Sequence, residues 1–328
     1  MTRTPELKAI AVVGSGYMGG GMAQCFALAG HEVVLADADA EATRRSYDRL
    51  VDEARAFEAE GLFDEGSAVR IAEALTCAVS IEDAVAQADY IAEAVPEAPD
   101  IKDNVLRRIS AAARKDAIIA SNTSAIPIAA LAESVDHRER FLGVHWMNPA
   151  PFVPAVELIP TVDTAEGALK AVDALISNLG KVTCVVPDVA GFIANRLQFA
   201  LFRESMLMVQ EGSCTPQQVD DVVSSSFGFR LAFFGPFTNA DMAGLDVYAG
   251  AFRSLSRAYG ERFSAPQALL DRVAAGDLGL KTEGGFMGLD PKDAQELLRY
   301  RNRAYSALSR LKAELGSVPG RPTTTDGA

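Results

Sequence analysis

The chain has 328 residues, of which 49% are hydrophobic and 23% charged, with a formal net charge of −13. That is the make-up of a globular protein long enough for two domains, not of a fibrous or disordered one. The acidic balance argues against a nucleic-acid partner, which needs a basic face to displace condensed counterions, and it obliges any anionic substrate to find a local positive site.

No stretch reaches the ~18 consecutive apolar residues of a membrane span. No long apolar segment lies between Met1 and the first strand, so no secretory leader is expected, and the expected location is the cytoplasm. Cys25, Cys77, Cys184 and Cys214 are scattered, with neither metal-ligand spacing nor the density of a disulfide scaffold, so no metal site is expected.

The first apolar run, Ala9-Ile10-Ala11-Val12-Val13, leads directly into Gly14-Ser15-Gly16-Tyr17-Met18-Gly19. In that pattern the first glycine allows a tight strand-to-helix turn, the second lets the backbone approach a pyrophosphate, and the third lets helix and strand pack closely. A helix from about Met18 to Ala29 then aims its free N–H groups at the phosphates. The next run, His31-Glu32-Val33-Val34-Leu35-Ala36, ends at Asp37, at the spacing of about 20 residues expected for a carboxylate on the ribose 2′-hydroxyl. The cofactor implied is NAD, because Asp37 repels the 2′-phosphate of NADP.

Further apolar runs at 88–95, 117–120, 141–146, 154–159 and 182–186 alternate with helical patterns at 39–61, 100–114 and 164–179. Alternation of this kind predicts an α/β fold, a doubly wound, mostly parallel sheet of the Rossmann type covered by helices. Beyond Pro187 the apolar spacing is helical almost throughout, beginning with a long helix that runs to Gly212. The expected domains are 1–189 for NAD and 190–316 as an all-helical substrate and dimerisation domain. Residues 317–328, rich in Pro, Gly and Thr, form an expected disordered tail.

Three histidines are available. His31 begins a strand and His137 lies in a polar run, whereas His145 closes the apolar strand Phe141-Leu142-Gly143-Val144 and precedes Trp146-Met147-Asn148-Pro149. Strand carboxyl ends face the ligand crevice of an open α/β sheet. Taken singly, the neighbouring polar residues have ordinary readings: Glu157 as a strand carboxylate facing water, Ser124 as a helix cap before Ile126, Asn195 as a first-turn residue with local hydrogen bonds.

Taken in order, Ser121-Asn122-Thr123-Ser124, His145-Trp146-Met147-Asn148-Pro149, Val156-Glu157-Leu158 and Gly191-Phe192-Ile193-Ala194-Asn195-Arg196 resemble the spaced motifs of the 3-hydroxyacyl-CoA dehydrogenase family. The resemblance runs from about residue 8 to 312 and includes Gly235-Pro236-Phe237 and Asp241-Met242-Ala243-Gly244-Leu245-Asp246. It implies His145 as general acid/base, Glu157 as the carboxylate that orients it, and Ser124 and Asn195 as hydrogen-bond partners of the substrate oxygen. It also implies Glu97, Lys102 and Asn122 near the cofactor, Asn148 near the substrate, and a homodimer. The chemistry fits independently: an imidazole can take an alcohol's proton near neutral pH while a carboxylate on its other nitrogen fixes the tautomer.

Thioester-using members carry a Lys-rich helical segment after the second strand, whereas residues 46–66 here hold Asp48, Asp52, Glu53, Glu58, Glu60, Asp64 and Glu65 against Arg49 and Arg55. The stretch Phe229-Arg230-Leu231-Ala232-Phe233-Phe234-Gly235-Pro236 is similar to the branch that includes L-gulonate 3-dehydrogenase, L-carnitine dehydrogenase and a pyridine-carboxylate dehydrogenase. There Arg230 offers a bidentate partner for a substrate carboxylate, or, more plainly, an arginine bridging helices. The expected activity is therefore NAD-dependent interconversion of a secondary alcohol and ketone at the carbon β to a carboxyl group. Its alternatives are a short-chain 3-hydroxyacyl-CoA dehydrogenase and a non-catalytic NAD-binding structural or sensor protein.

Overall fold

Side-chain alternation along the first strand, β1 (Ala9–Val13), decides the layering: Ile10 and Val12 enter one core cluster and Ala11 and Val13 the other. A computed structural model describes residues 7–319. The sheet continues with β2 (Glu32–Ala36), β3 (Leu75–Cys77), β4 (Tyr90–Glu93), β5 (Ile118–Ser121), β6 (Phe141–Trp146), β7 (Ala155–Pro160) and β8 (Val182–Val185). Its strand order is β3-β2-β1-β4-β5-β6-β7-β8, parallel except where β6 meets β7. The expected doubly wound, mostly parallel architecture is the one observed.

Helices α1 (Tyr17–Leu28), α2 (Ala40–Ala59), α3 (Ser67–Ala74) and α7 (Glu166–Asn178) cover the Ile10/Val12 face. On the other face lie α4 (Ile81–Val85), α5 (Pro99–Ala112) and α6 (Ile128–Ala132). The local signals are ordinary: Asp39 caps α2 by accepting from the Ala42 N–H at 2.7 Å, and Gly61 in a left-handed conformation follows its end. The short elements α3, β3 and α4 leave no clear period in the sequence, because a three-residue edge strand cannot express one.

The next helix, α8 (Ala194–Gln210), starts later than the apolar pattern suggests, because Gly191 (φ 77°) and Phe192 (φ 46°) are left-handed and break the helix before it. Residues group into two compact units that divide at Phe202/Arg203. The second unit holds α9 (Pro216–Ser225), α10 (Phe227–Leu231), α11 (Pro236–Ala243), α12 (Leu245–Tyr259), α13 (Gln267–Ala274) and α14 (Ala294–Leu315). It is helical as expected, around a small core of Ala240, Leu245, Ala249 and Leu269. Residues 317–319 of the expected tail are exposed, and 320–328 lie outside the described residues.

Candidate active site

The strand order reverses between β1 and β4, and open α/β sheets bind ligands at the carboxyl ends of such a pair. There Gly14 adopts φ 89°, and a Cβ on it would lie 2.7 Å from the backbone of Ala94 and Val95. A Cβ on Gly19 would lie 1.9 Å from the Gly14 carbonyl oxygen, while Gly16 faces open space at the head of α1, whose first turn has no side-chain cap. Backbone, space and free N–H groups thus fit a dinucleotide pyrophosphate. Met18 is half-buried beside the core, and Tyr17 is exposed. Buried Ser15 orients Asp37, its N–H and hydroxyl donating to one carboxylate oxygen at 2.8 and 2.7 Å.

The second part of the site forms where β6 and β7 pair. His145 and Glu157 are register partners, and the His145 Nδ1–H donates to Glu157 Oε2 at 2.9 Å. Both are buried, at 4% and 5% exposure, so Glu157 is not a carboxylate facing water. Its other oxygen accepts from the N–H groups of Ile193 and Ala194 at 3.0 and 2.9 Å, which binds the first turn of α8 to the pair. The imidazole's Nε2 lies 3.0 Å from Ser124 Oγ. The Asn195 amide reaches back to the Ser124 carbonyl at 3.1 Å, so its bond is not local. Ser124 caps no helix, since α6 begins at Ile128 after Pro127; the Thr123 hydroxyl accepts from the Ile126 N–H at 3.1 Å in the turn before it. The buried Phe192 ring stands 5.5 Å from the imidazole and keeps water from that side.

Beneath these residues runs a buried charged layer. Lys102, fully buried, donates to Glu93 Oε1 at 2.8 Å and to the Asn122 carbonyl at 3.1 Å, with Glu97 3.7 Å away. Its ammonium has no face open to a cofactor and holds the floor of the site from below. Burial pushes the Glu93 carboxyl up against the opposing pull of Lys102, and Ser121 donates to its second oxygen. Burial also acts to raise Glu97, but the Thr123 hydroxyl and the N–H groups of Ser124 and Ala125 outweigh it and hold that carboxyl below its ordinary range. Asn122 accepts from the Trp146 N–H at 3.0 Å and so joins β5 to β6. Asn148 is exposed on the loop after β6, and Arg230 is exposed on α10 of the second unit.

Sequence reasoning did not single out Glu93, Thr123 or Phe192. Glu93 carried a signal, an acid inside an otherwise apolar strand, since a buried charge persists only when paired. Nothing in the sequence betrays the left-handed backbone of Phe192.

Two family models match the chain, the NAD binding domain of 3-hydroxyacyl-CoA dehydrogenase over residues 9–189 and the C-terminal domain of 3-hydroxyacyl-CoA dehydrogenase over 191–288. The 5-formyl-3-hydroxy-2-methylpyridine 4-carboxylate 5-dehydrogenase of Mesorhizobium japonicum is 33% identical over 306 residues, 93% of this chain and 98% of that protein. An L-carnitine dehydrogenase from a Pseudomonas species is 32% identical over 308 residues, 90% of this chain and 91% of that one. The crystal structure of a 3-hydroxyacyl-CoA dehydrogenase from Archaeoglobus fulgidus superposes with a TM-score of 0.76 at 29% identity, covering 93% of this chain and 99% of that one.

Proposed function

Since the chain belongs to the 3-hydroxyacyl-CoA dehydrogenase family, and is thereby an NAD-dependent dehydrogenase of CH–OH groups, we propose that its substrate is a small 3-hydroxy acid taken as the free carboxylate, or the matching ketone. The membership sets aside a purely structural or sensor role.

In this reading the alcohol's proton goes to His145 Nε2, the nitrogen left with a lone pair because Nδ1–H is committed to Glu157. Glu157, fixed by two backbone N–H groups, stabilises the imidazolium that results. Ser124 and Asn195, already joined to each other and to the imidazole, hydrogen-bond the substrate oxygen and set its angle to the base. Bound NAD supplies the hydride acceptor. Gly14, Gly16 and Gly19 with the head of α1 take its pyrophosphate, Asp37 takes the ribose diol, and Glu97, Asn122 and Lys102 shape the floor.

The free-acid reading rests on the charge of residues 46–66. Both guanidinium groups of that segment are already paired, Arg49 with Glu53 at 2.7 Å and Arg55 with Asp52 at 2.8 Å, and Glu58 is tied to the Gly66 and Ala68 N–H groups. A coenzyme A polyanion meets repulsion there, whereas a small carboxylate needs only one cation, the role assigned to Arg230. Likeness to the Archaeoglobus 3-hydroxyacyl-CoA dehydrogenase supports a short-chain thioester as the second reading. The deciding assay follows NADH formation from NAD with matched free acids and coenzyme A thioesters of L-3-hydroxy acids, L-carnitine and L-gulonate among them. Turnover of thioesters alone removes the free-acid reading.

The assembly proposed is a homodimer. No residue of α8 is buried in the isolated chain, and Leu197, Phe199, Phe202 and Met206 are all more than half exposed. Apolar side chains in such number on one helix call for cover, and a second copy provides it. Light scattering on the eluted protein tests this, a monomeric mass at micromolar concentration counting against it. No helix among the described residues is long and apolar enough to cross a membrane. The proposed location is the cytoplasm, where the four free cysteines stay reduced.

A further inference from the structure

Lys181 lies immediately before the edge strand β8, in a sequence context, Leu179-Gly180-Lys181-Val182, that gives an exposed lysine no reason to be elsewhere. It is nevertheless buried to 9% exposure. Its ammonium donates to three backbone carbonyls of one turn, those of Ala150 at 2.5 Å, Val153 at 2.9 Å and Pro151 at 3.2 Å. The same group stands 5.5 Å from the Trp146 ring. Burial pushes the ammonium's pKa down, so the three carbonyls are what make a charge tolerable at this place.

The turn it holds connects the strand bearing His145 to the strand bearing Glu157, and Asn148 lies at its start. On its far side the turn rests on α1, just beyond the glycine-rich motif. Ala150 and Pro151 approach Gly21 of α1 so closely that a Cβ there would stand 3.1 and 3.0 Å from them, and the thiol of Cys25 on the same helix faces the Ala150 carbonyl at 3.7 Å. The next residue, Phe152, packs edge-on against Phe57 of α2 at 5.2 Å and leans on Phe63 at 5.8 Å. One cation therefore sets how the loop after His145 lies over the two helices that flank the glycine-rich turn.

We infer that Lys181 is a positioning residue for dinucleotide binding: by drawing three carbonyls together it fixes the 147–153 turn, with Asn148 in it, against α1. It touches neither cofactor nor substrate. The inference rests on the cofactor reading above and adds to it a residue that no motif contains.

The experiment compares the full chain with Lys181→Met, which keeps the stem and removes charge and donors, and Lys181→Arg, which keeps charge but spreads its donors in a plane. NADH affinity is read by titration of the cofactor's own fluorescence, and the turn by the emission of Trp146, the single tryptophan of the chain. The expected order of NADH Kd is native, then Arg, then Met, with Met weaker by about fivefold or more and KM for NAD rising more than kcat falls. Trp146 emission changes in both variants. In an Asn148→Ala background the Lys181→Met effect on Kd shrinks, since the two act through one turn.

A folded Lys181→Met protein with native NADH affinity, whatever its melting temperature, overturns the inference. If that variant does not fold, Lys181→Arg decides: altered Trp146 emission with a native Kd overturns it as well. Failure of the native chain to bind NADH at all would instead refute the cofactor reading.

Discussion

His145 and Glu157 face each other across the antiparallel pair of β6 and β7, so their hydrogen bond is set by strand register and not by loop conformation. A one-residue slip of either strand would turn its own side chain to the other face of the sheet and part the pair. Removing His145 should therefore abolish chemistry and leave the dinucleotide end intact. His145→Ala is expected to lower kcat by roughly 10³-fold with NADH Kd within about twofold of native, by titration and steady-state assay. Glu157→Gln should cost about 10²-fold, and the double variant little more than His145→Ala, because the two act as a unit. A His145→Ala kcat within about tenfold of native sinks the mechanism.

Cofactor choice should depend on Asp37. Its carboxylate is oriented by Ser15 and is the group proposed to repel a 2′-phosphate. Asp37→Ala is expected to cut the ratio of kcat/KM for NAD over NADP by about 10- to 100-fold, the size expected when a like-charge clash and one charged hydrogen bond are lost together. An unchanged ratio would mean that discrimination lies elsewhere.

Arg230 is the cation assigned to the substrate carboxylate. Arg230→Ala should raise KM for a free 3-hydroxy acid by about tenfold or more and leave KM for the corresponding thioester nearly unchanged. Equal effects on both would remove Arg230 from that role.

Acid stability should report on Glu97. Its native carboxyl is held below its ordinary value, so the unfolded chain takes up its proton first as pH falls. The stability it contributes is thus complete above the ordinary carboxylate range and is lost as pH drops through the lower native value. Thr123→Val removes one donor and should flatten the fall of stability with acid, measured as denaturant midpoints between pH 6 and pH 3. Glu93, pushed up by burial, has the opposite sign and is untouched by that change.

What could be read from the chain divides along the reach of the interactions. The strand, glycine turn, helix and Asp37 are consecutive, and local rules suffice for them. The His145, Glu157, Ser124 and Asn195 set is spread over 72 residues, and only the order of the motifs tied it together before the geometry did. Burial of Lys102 and Lys181 was not legible, because a lysine's surroundings are set by which strand ends the fold brings beside it. The antiparallel turn of β7 was equally silent: period-two patterning is the same in either direction.

Phe192 bears on engineering. A left-handed, non-glycine residue carries strain of order 1–3 kcal/mol, and glycine would make the same turn more comfortably. Yet the phenyl group is what lies against the imidazole, while the peptides that follow it grip Glu157. A glycine there would relieve the strain yet give up a buried ring whose loss costs about 3–5 kcal/mol, so the easier turn would return a weaker, wetter and slower enzyme.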